Sequence, residues 1–133
     1  MDNRDKIELS GYRLQRAKDS FETAKLLFDV NKYLDCNNRA YYAVFHAMRA
    51  VLALDGRDFK RHKDVISYFN YTYVKTEVFP KELGKKIHGL AEIRDESDYE
   101  DFYISTREDA EEKLNIAKYA IELIENYLDL QKE

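Results

Sequence analysis

The chain has 133 residues, of which 44% are apolar and 36% are charged, and it contains only 4 glycines and 1 proline. This composition is typical of a helical protein and argues against a β-sandwich or a disordered chain. The formal net charge of −4 excludes a protein that adheres to nucleic acid over its whole surface, because such adhesion needs an excess of lysine and arginine.

The first two predicted elements are amphipathic helices. Apolar side chains spaced three and four residues apart predict a helix over residues 6–31. Its buried face is predicted to contain Leu9, Tyr12, Ala17, Phe21, Ala24, Leu27 and Phe28. We expect the second helix, over residues 33–55, to be the central one and to end at Gly56, which can adopt the left-handed conformation. Its apolar stripe consists of Tyr41, Val44, Phe45, Met48, Val51 and Leu52.

Three further helices are predicted in the second half of the chain. The third spans about residues 62–76, and Pro80 suits the first turn of the fourth, which runs to about residue 96. Ser105 and Glu108 form a capping-box pattern that opens the last helix, which ends near residue 130. The buried face of this last helix is predicted to contain Ala110, Leu114, Ala117, Ala120, Ile121, Ile124 and Leu128.

Together these elements predict an all-α fold, an antiparallel up-and-down bundle of four to five helices in a single domain over residues 1–133. No segment approaches the roughly 20 consecutive apolar residues of a membrane span, and Met1–Lys6 lacks an apolar signal segment. We therefore expect a cytoplasmic protein without membrane contact. Cys36 is the only cysteine and the histidines are scattered, so we expect no disulfide, no metal site and no cofactor.

A polar stripe on the second helix is the first candidate site. Arg39 and His46 are separated by roughly 700° of helical rotation, so both project along nearly the same line, with Tyr42 between them and Arg49 close by. One interpretation is a hydrogen-bond network that fixes helix packing, since burying unpaired charge is costly. The other is a phosphate-handling site, in which arginine supplies a fixed charge and histidine carries a proton near neutral pH.

The second candidate site lies near the end of the fourth helix and in the loop that follows. Arg94 and Asp98 are spaced for an ion pair on one helix face. Alternatively, Arg94 and the hydroxyl of Tyr99 bind a nucleotide phosphate. A basic run is a candidate RNA contact or an ordinary solvated loop and helix start, and it contains Arg57, Lys60, Arg61, His62 and Lys63.

Three segments together resemble the small stand-alone prokaryotic branch of the HEPN superfamily, the higher eukaryotes and prokaryotes nucleotide-binding domain. They are Arg39–Ala47, which reads RAYYAVFHA, His62–Asn70, which reads HKDVISYFN, and Arg94–Tyr99, which reads RDESDY. The resemblance implies an up-and-down helical bundle, usually a homodimer, often encoded beside a minimal nucleotidyltransferase. With that partner, such a protein forms a toxin–antitoxin pair.

Active members of this superfamily are metal-independent ribonucleases with an R-x4–6-H motif near the start of the final helix, where the dimer axis brings two copies together. This chain departs from the motif, because Arg94 is followed by Tyr99 where histidine is expected. Its R-x6-H match, Arg39 to His46, lies on the second helix instead. Tyrosine, with a pKa of about 10, is a poor proton carrier at pH 7. In some related pairs the nucleotidyltransferase modifies a tyrosine close to the motif, and the resemblance assigns that role to Tyr99.

Three hypotheses about function follow. The preferred one is an accessory or toxin-like component that binds RNA or a nucleotide and pairs with a minimal nucleotidyltransferase. The second is an active metal-independent endoribonuclease, with Arg39, His46 and Arg94 as candidate catalytic residues. The third is a helical scaffold whose polar network only orders the packing. Nucleotide or RNA contacts are assigned to Tyr42, Arg49, Asp98 and Tyr99. We expect a homodimer because 11 tyrosines and 7 phenylalanines exceed what one small bundle hides.

Overall fold

The computed structural model describes residues 2–99 and 104–132, of which residues 92–99 are described by their backbone alone. This part of the chain forms five α-helices and contains no β-strand, so the predicted all-α bundle is confirmed. Within the same residues, no helix has both the length and the apolar character needed to cross a membrane. The helices are α1 (Asn3–Asp29), α2 (Tyr33–Leu54), α3 (His62–Phe69), α4 (Lys81–Tyr99) and α5 (Arg107–Gln131).

Helix α2 is the centre of the bundle, as predicted. It contacts α1, α3, α4 and α5, and more than half of its residues are buried. The predicted core residues Tyr41, Phe45, Met48 and Leu52 are all at most 5% exposed. The alanines at positions 40, 43, 47 and 50 are fully buried, and their small side chains allow neighbouring helices to approach closely.

Helices α1 and α2 run antiparallel and are joined by hydrogen bonds as well as by apolar contacts. The hydroxyl of Ser10 donates to the carbonyl oxygen of Ala50 at 2.8 Å, and Arg13 Nη1 donates to the carbonyl oxygen of Arg49 at 3.1 Å. Ser10 and Arg13 are both buried, whereas Tyr12 is 61% exposed. The prediction that Tyr12 belongs to the buried face is therefore wrong, because polar side chains with main-chain partners take that face of α1.

The end of α2 determines the position of the segment that follows. Gly56 has the predicted left-handed conformation, with a φ of +70°. The amide groups of Gly56 and Arg57 donate to the carbonyl oxygens of Ala53 and Leu52, which satisfies acceptors at the helix end. This turn brings Asp58 back against α1 and α2.

The helix predicted over residues 62–76 is divided into two parts. Helix α3 gives way to a π-helical turn, Asn70–Val74. Within this wider turn the successive side chains of Tyr73 and Val74 both lie in the core, where each is 7% exposed. The sequence predicts Pro80 in the first turn of the fourth helix, and α4 begins one residue later, at Lys81.

Two predicted boundaries in the second half of the chain are wrong. Helix α4 continues to Tyr99, since no glycine or proline interrupts the polar run before it. The N-cap of α5 is Thr106, whose hydroxyl accepts a hydrogen bond from the amide of Asp109 at 3.1 Å. Ser105, the predicted cap, instead accepts a hydrogen bond from Nδ2 of Asn37 at 2.6 Å, which ties the start of α5 to α2.

Candidate functional site

A cleft lies where the second half of α2 meets the segment that leads into α3. Its volume is about 480 Å³. We name it the Arg49 cleft, and its lining residues are Phe45, Arg49, Asp58, Phe59, Lys60 and His62. Helix α2 supplies two of these residues, one helical turn apart, and the segment between α2 and α3 supplies three. Cationic side chains and aromatic rings therefore share one surface.

The carboxylate of Asp58 binds two arginines at the edge of this cleft. Arg49 Nη2 donates to both carboxylate oxygens at 3.1 Å, and Arg13 Nη2 donates to Oδ2 at 3.2 Å. The amide of Phe59 donates to Oδ1 at 2.9 Å. Burial raises the pKa of Asp58, but the hydrogen bond and charge of Arg49, with the charge of Arg13, outweigh it and lower the pKa below its usual value. Asp58 is therefore ionised at neutral pH.

This arrangement fixes Arg49 without neutralising the site. Two guanidinium groups share one carboxylate, so the three side chains together carry an excess positive charge. The side chain of Arg13 is only 10% exposed, whereas that of Arg49 is 27% exposed, so Arg49 presents its charge to the cleft. The Nε atom of Arg49 is buried and has no hydrogen-bond partner among the described residues. Fixed cations of this kind bind phosphate oxygens well.

His62 forms the aromatic side of the cleft. Its ring centroid lies 4.1 Å from that of Phe45, and its Nδ1 lies 3.2 Å from the hydroxyl of Tyr41. The guanidinium of Arg49 lies over the ring of Phe45 as well, 6.0 Å from its centroid. These contacts hold the imidazole in one orientation near the guanidinium of Arg49.

His46 lies beside this site rather than in its lining. Its ring centroid is 6.4 Å from that of Tyr42. Burial lowers the pKa of His46 to about 4, and the positive charges of Arg16, Arg49 and Arg13 act in the same direction. The imidazole is therefore neutral at pH 7. In this form one ring nitrogen can accept a hydrogen bond, but the imidazolium that would act as an acid is not populated.

The lowered pKa of His46 predicts an acid-dependent loss of stability. Between pH 6.5 and about 4 the unfolded chain binds a proton at this histidine that the folded chain does not bind. The free energy of unfolding should therefore fall as the pH falls through this window. Urea denaturation at pH 7 and pH 5 measures the fall, which should be smaller in His46→Gln than in the wild type. An equal fall in both proteins would contradict the prediction.

The predicted polar stripe of α2 divides between two surfaces. Arg39 is exposed and lines a separate groove with Tyr42, Thr23, Leu27, Asp35 and Asn38. Tyr42 also lies beside His46, whereas Arg49 is drawn to Asp58. The side chains of Arg94, Asp98 and Tyr99 lie outside the described residues, although their backbone belongs to α4.

The sequence did not predict Arg13 or Asp58 as site residues. Arg13 is an arginine on an ordinary amphipathic helix, and its importance depends on a partner 45 residues away. Two residues of the basic run from Arg57 to Lys63, Lys60 and His62, line the cleft. Among the described residues, no group of three or more histidine, cysteine, aspartate or glutamate side chains is arranged to hold a metal ion.

Comparison with known proteins identifies several similar chains. The family model of the HEPN domain matches residues 10–127, a range that contains the whole Arg49 cleft. A UPF0332 protein from Thermotoga maritima is 30% identical over 125 residues, which cover 94% of this chain and 95% of the relative. A UPF0332 protein from Archaeoglobus fulgidus is 34% identical over 130 residues, covering 88% and 96%. A Methanocaldococcus jannaschii protein named as a putative toxin is 33% identical over 129 residues, covering 86% and 85%.

Proposed function

This chain belongs to the HEPN domain family, and from that premise we propose that it is a toxin-like component that binds the phosphates of RNA or a nucleotide in the Arg49 cleft. The toxin name of the relative from Methanocaldococcus jannaschii supports the toxin-like role. The cleft supports the phosphate-binding role, because a protein with a net charge of −4 concentrates cations there.

The observation that carries the proposal is that Arg49, held in place by Asp58, and Lys60 line the same cleft. Asp58 is already occupied by two arginines, so it repels an incoming anion less than a free carboxylate would. Phe59 lines the same cleft and is only partly buried, so its ring offers a surface on which a base can stack. A phosphate and a base therefore both find a complementary surface in one cleft.

The proposal is one of binding, and it assigns no catalytic step to His46. General acid–base catalysis is most effective when the pKa of the catalytic group lies near the working pH. The pKa of His46, at about 4, is far below neutral, and the histidine is not part of the cleft lining. An endoribonuclease that used this histidine to deprotonate the 2′-hydroxyl is therefore the less favoured alternative, because a group with a pKa of about 4 is a weak base.

We also propose that this single domain works as a cytoplasmic homodimer that pairs with a minimal nucleotidyltransferase, as the family resemblance implies. Exposed apolar side chains at one end of the bundle support a protein contact there. Leu26 and Val30 on the C-terminal end of α1 are 67% and 63% exposed, and Leu34 at the start of α2 is 36% exposed. Solvated apolar side chains grouped in this way are typical of surfaces that meet another protein.

Arg49→Gln is expected to lower the affinity for a short oligoribonucleotide about tenfold or more, because it removes a charge that is held in place. Lys60→Gln should lower it by a smaller factor, about threefold, because this exposed lysine is more mobile. Fluorescence anisotropy of a labelled oligoribonucleotide measures both affinities, and thermal melts establish that each variant is folded.

Lys85→Gln is the matched control for this experiment. Lys85 is an exposed lysine on α4 that is absent from the Arg49 cleft lining, so the variant loses the same charge elsewhere. It should bind as the wild type does. A folded Arg49→Gln variant with wild-type affinity would exclude the cleft as the binding site.

A further inference from the structure

We propose that a second phosphate subsite lies on the far side of Asp58, formed by Lys6, Arg13 and Arg57, so that the ligand is an oligonucleotide chain with at least two phosphates. This inference rests on the proposed function of the Arg49 cleft and extends it. It decides between the two ligand classes that the first cleft alone leaves open, an isolated nucleotide and a polynucleotide.

The second subsite is a cleft of its own that shares Asp58 with the first. Its volume is about 430 Å³, similar to the 480 Å³ of the Arg49 cleft. Its lining residues are Lys6, Leu9, Arg13, Ala53, Asp55, Gly56, Arg57 and Asp58. Because Asp58 lines both clefts, the two clefts adjoin at this residue.

The left-handed turn at Gly56 positions the lysine of this subsite. A Cβ atom at Gly56 would lie 3.2 Å from Lys6 Cε and 3.3 Å from Lys6 Nζ. The absent side chain therefore leaves room for the Lys6 ammonium group against the turn. Arg57, the next residue, is exposed and brings a second cation to the same place.

The two carboxylates of the second subsite have partners within the protein. Asp55 accepts a hydrogen bond from the hydroxyl of Tyr68, and Asp58 accepts hydrogen bonds from Arg13 and Arg49. Taken together, the two clefts contain five lysines and arginines against two aspartates. Positive charge thus continues from one cleft into the next, on a chain whose overall charge is negative.

The two clefts differ in the part of a nucleotide that they suit. The Arg49 cleft contains the rings of Phe45 and Phe59, whereas no aromatic ring is among the described residues that line the second cleft. The second cleft therefore suits a phosphate without its base. One nucleotide fills the first cleft, and only a chain that continues past it reaches Lys6 and Arg57.

The test compares adenosine monophosphate with a six-residue oligoadenylate as ligands of the full chain. The oligoadenylate should bind about tenfold or more tightly than the monophosphate, because it reaches cations in both clefts. Lys6→Gln combined with Arg57→Gln should reduce this ratio of affinities toward one. Arg49→Gln should weaken the binding of both ligands. Isothermal titration at low salt measures the affinities, and thermal melts verify folding.

Lys85→Gln combined with Lys118→Gln provides the control, because it removes two exposed lysines that line neither cleft. The control should keep the wild-type ratio. Equal affinity of the wild type for both ligands, or an equal effect of the two double variants, would overturn the second subsite while leaving the Arg49 cleft in place. If Arg49→Gln changes neither affinity, or if neither ligand binds to the wild type, the proposed function itself fails.

Discussion

Replacing Phe45 with alanine is expected to lower the free energy of unfolding by about 3 to 5 kcal/mol. Phe45 is 5% exposed, and its ring stacks against Tyr41 at 6.2 Å between centroids and lies tilted against His62 at 4.1 Å. The substitution removes apolar burial and leaves a cavity that the surrounding helices fill only in part. Urea denaturation followed by circular dichroism measures the change.

Tyr12→Ala is the control for this experiment. It also deletes an aromatic ring, but Tyr12 is 61% exposed, so its loss should change the free energy of unfolding by about 0.5 kcal/mol or less. If Phe45→Ala were as stable as Tyr12→Ala, the face of α2 that packs in the core would have to be reassigned.

Arg13→Met should have the second largest effect, a loss of about 1 to 3 kcal/mol in the free energy of unfolding. The buried guanidinium donates to the carbonyl oxygen of Arg49 and to the carboxylate of Asp58, and methionine replaces neither hydrogen bond. The affinity of the Arg49 cleft for oligoribonucleotides should fall as well, because Asp58 then has one arginine partner instead of two. Denaturation and anisotropy measurements on the same variant test both expectations.

Two further measurements complete this experiment. The first is the control variant Arg16→Met, and the second is a double-mutant cycle that combines Arg13→Met with Asp58→Asn. Arg16 is an exposed arginine on the same helix, so its replacement should leave stability within about 0.5 kcal/mol of the wild type. The cycle separates the pair of Arg13 and Asp58 from the other contacts of each residue. Additive effects of the two substitutions would show that the hydrogen bond between these side chains contributes nothing.

The central helix illustrates what the sequence predicts well. The apolar stripe of α2 is regular, and Gly56 lies two residues after the last residue of the helix, Leu54, so both the buried face and the helix end follow from local periodicity and backbone conformation. The cap of α5 was harder to predict. Ser105 and Thr106 are adjacent and both are good N-caps, and the choice between them depends on Asn37, which is distant in sequence and takes Ser105 as its partner.

The candidate site was predicted only in part, for the same reason. Helical spacing places Arg39, Tyr42, His46 and Arg49 along one stripe, but spacing does not reveal which neighbour each side chain meets. Asp58 turns Arg49 toward the cleft, and the burial of His46 makes it neutral. Contacts between distant segments cause both effects, and the periodicity of one helix contains no information about them.

The ion pair between Arg13 and Asp58 also couples the site to the packing of α1 against the rest of the chain. It joins α1 to a segment 45 residues later, so Asp58, which lines the Arg49 cleft, has both of its arginine partners only when α1 has docked. Ligand binding and the docking of α1 are consequently linked equilibria, and any molecule that binds the assembled cleft stabilises the docked position of α1 by mass action. Conversely, a partner that pulled α1 away would weaken ligand binding without contacting the cleft.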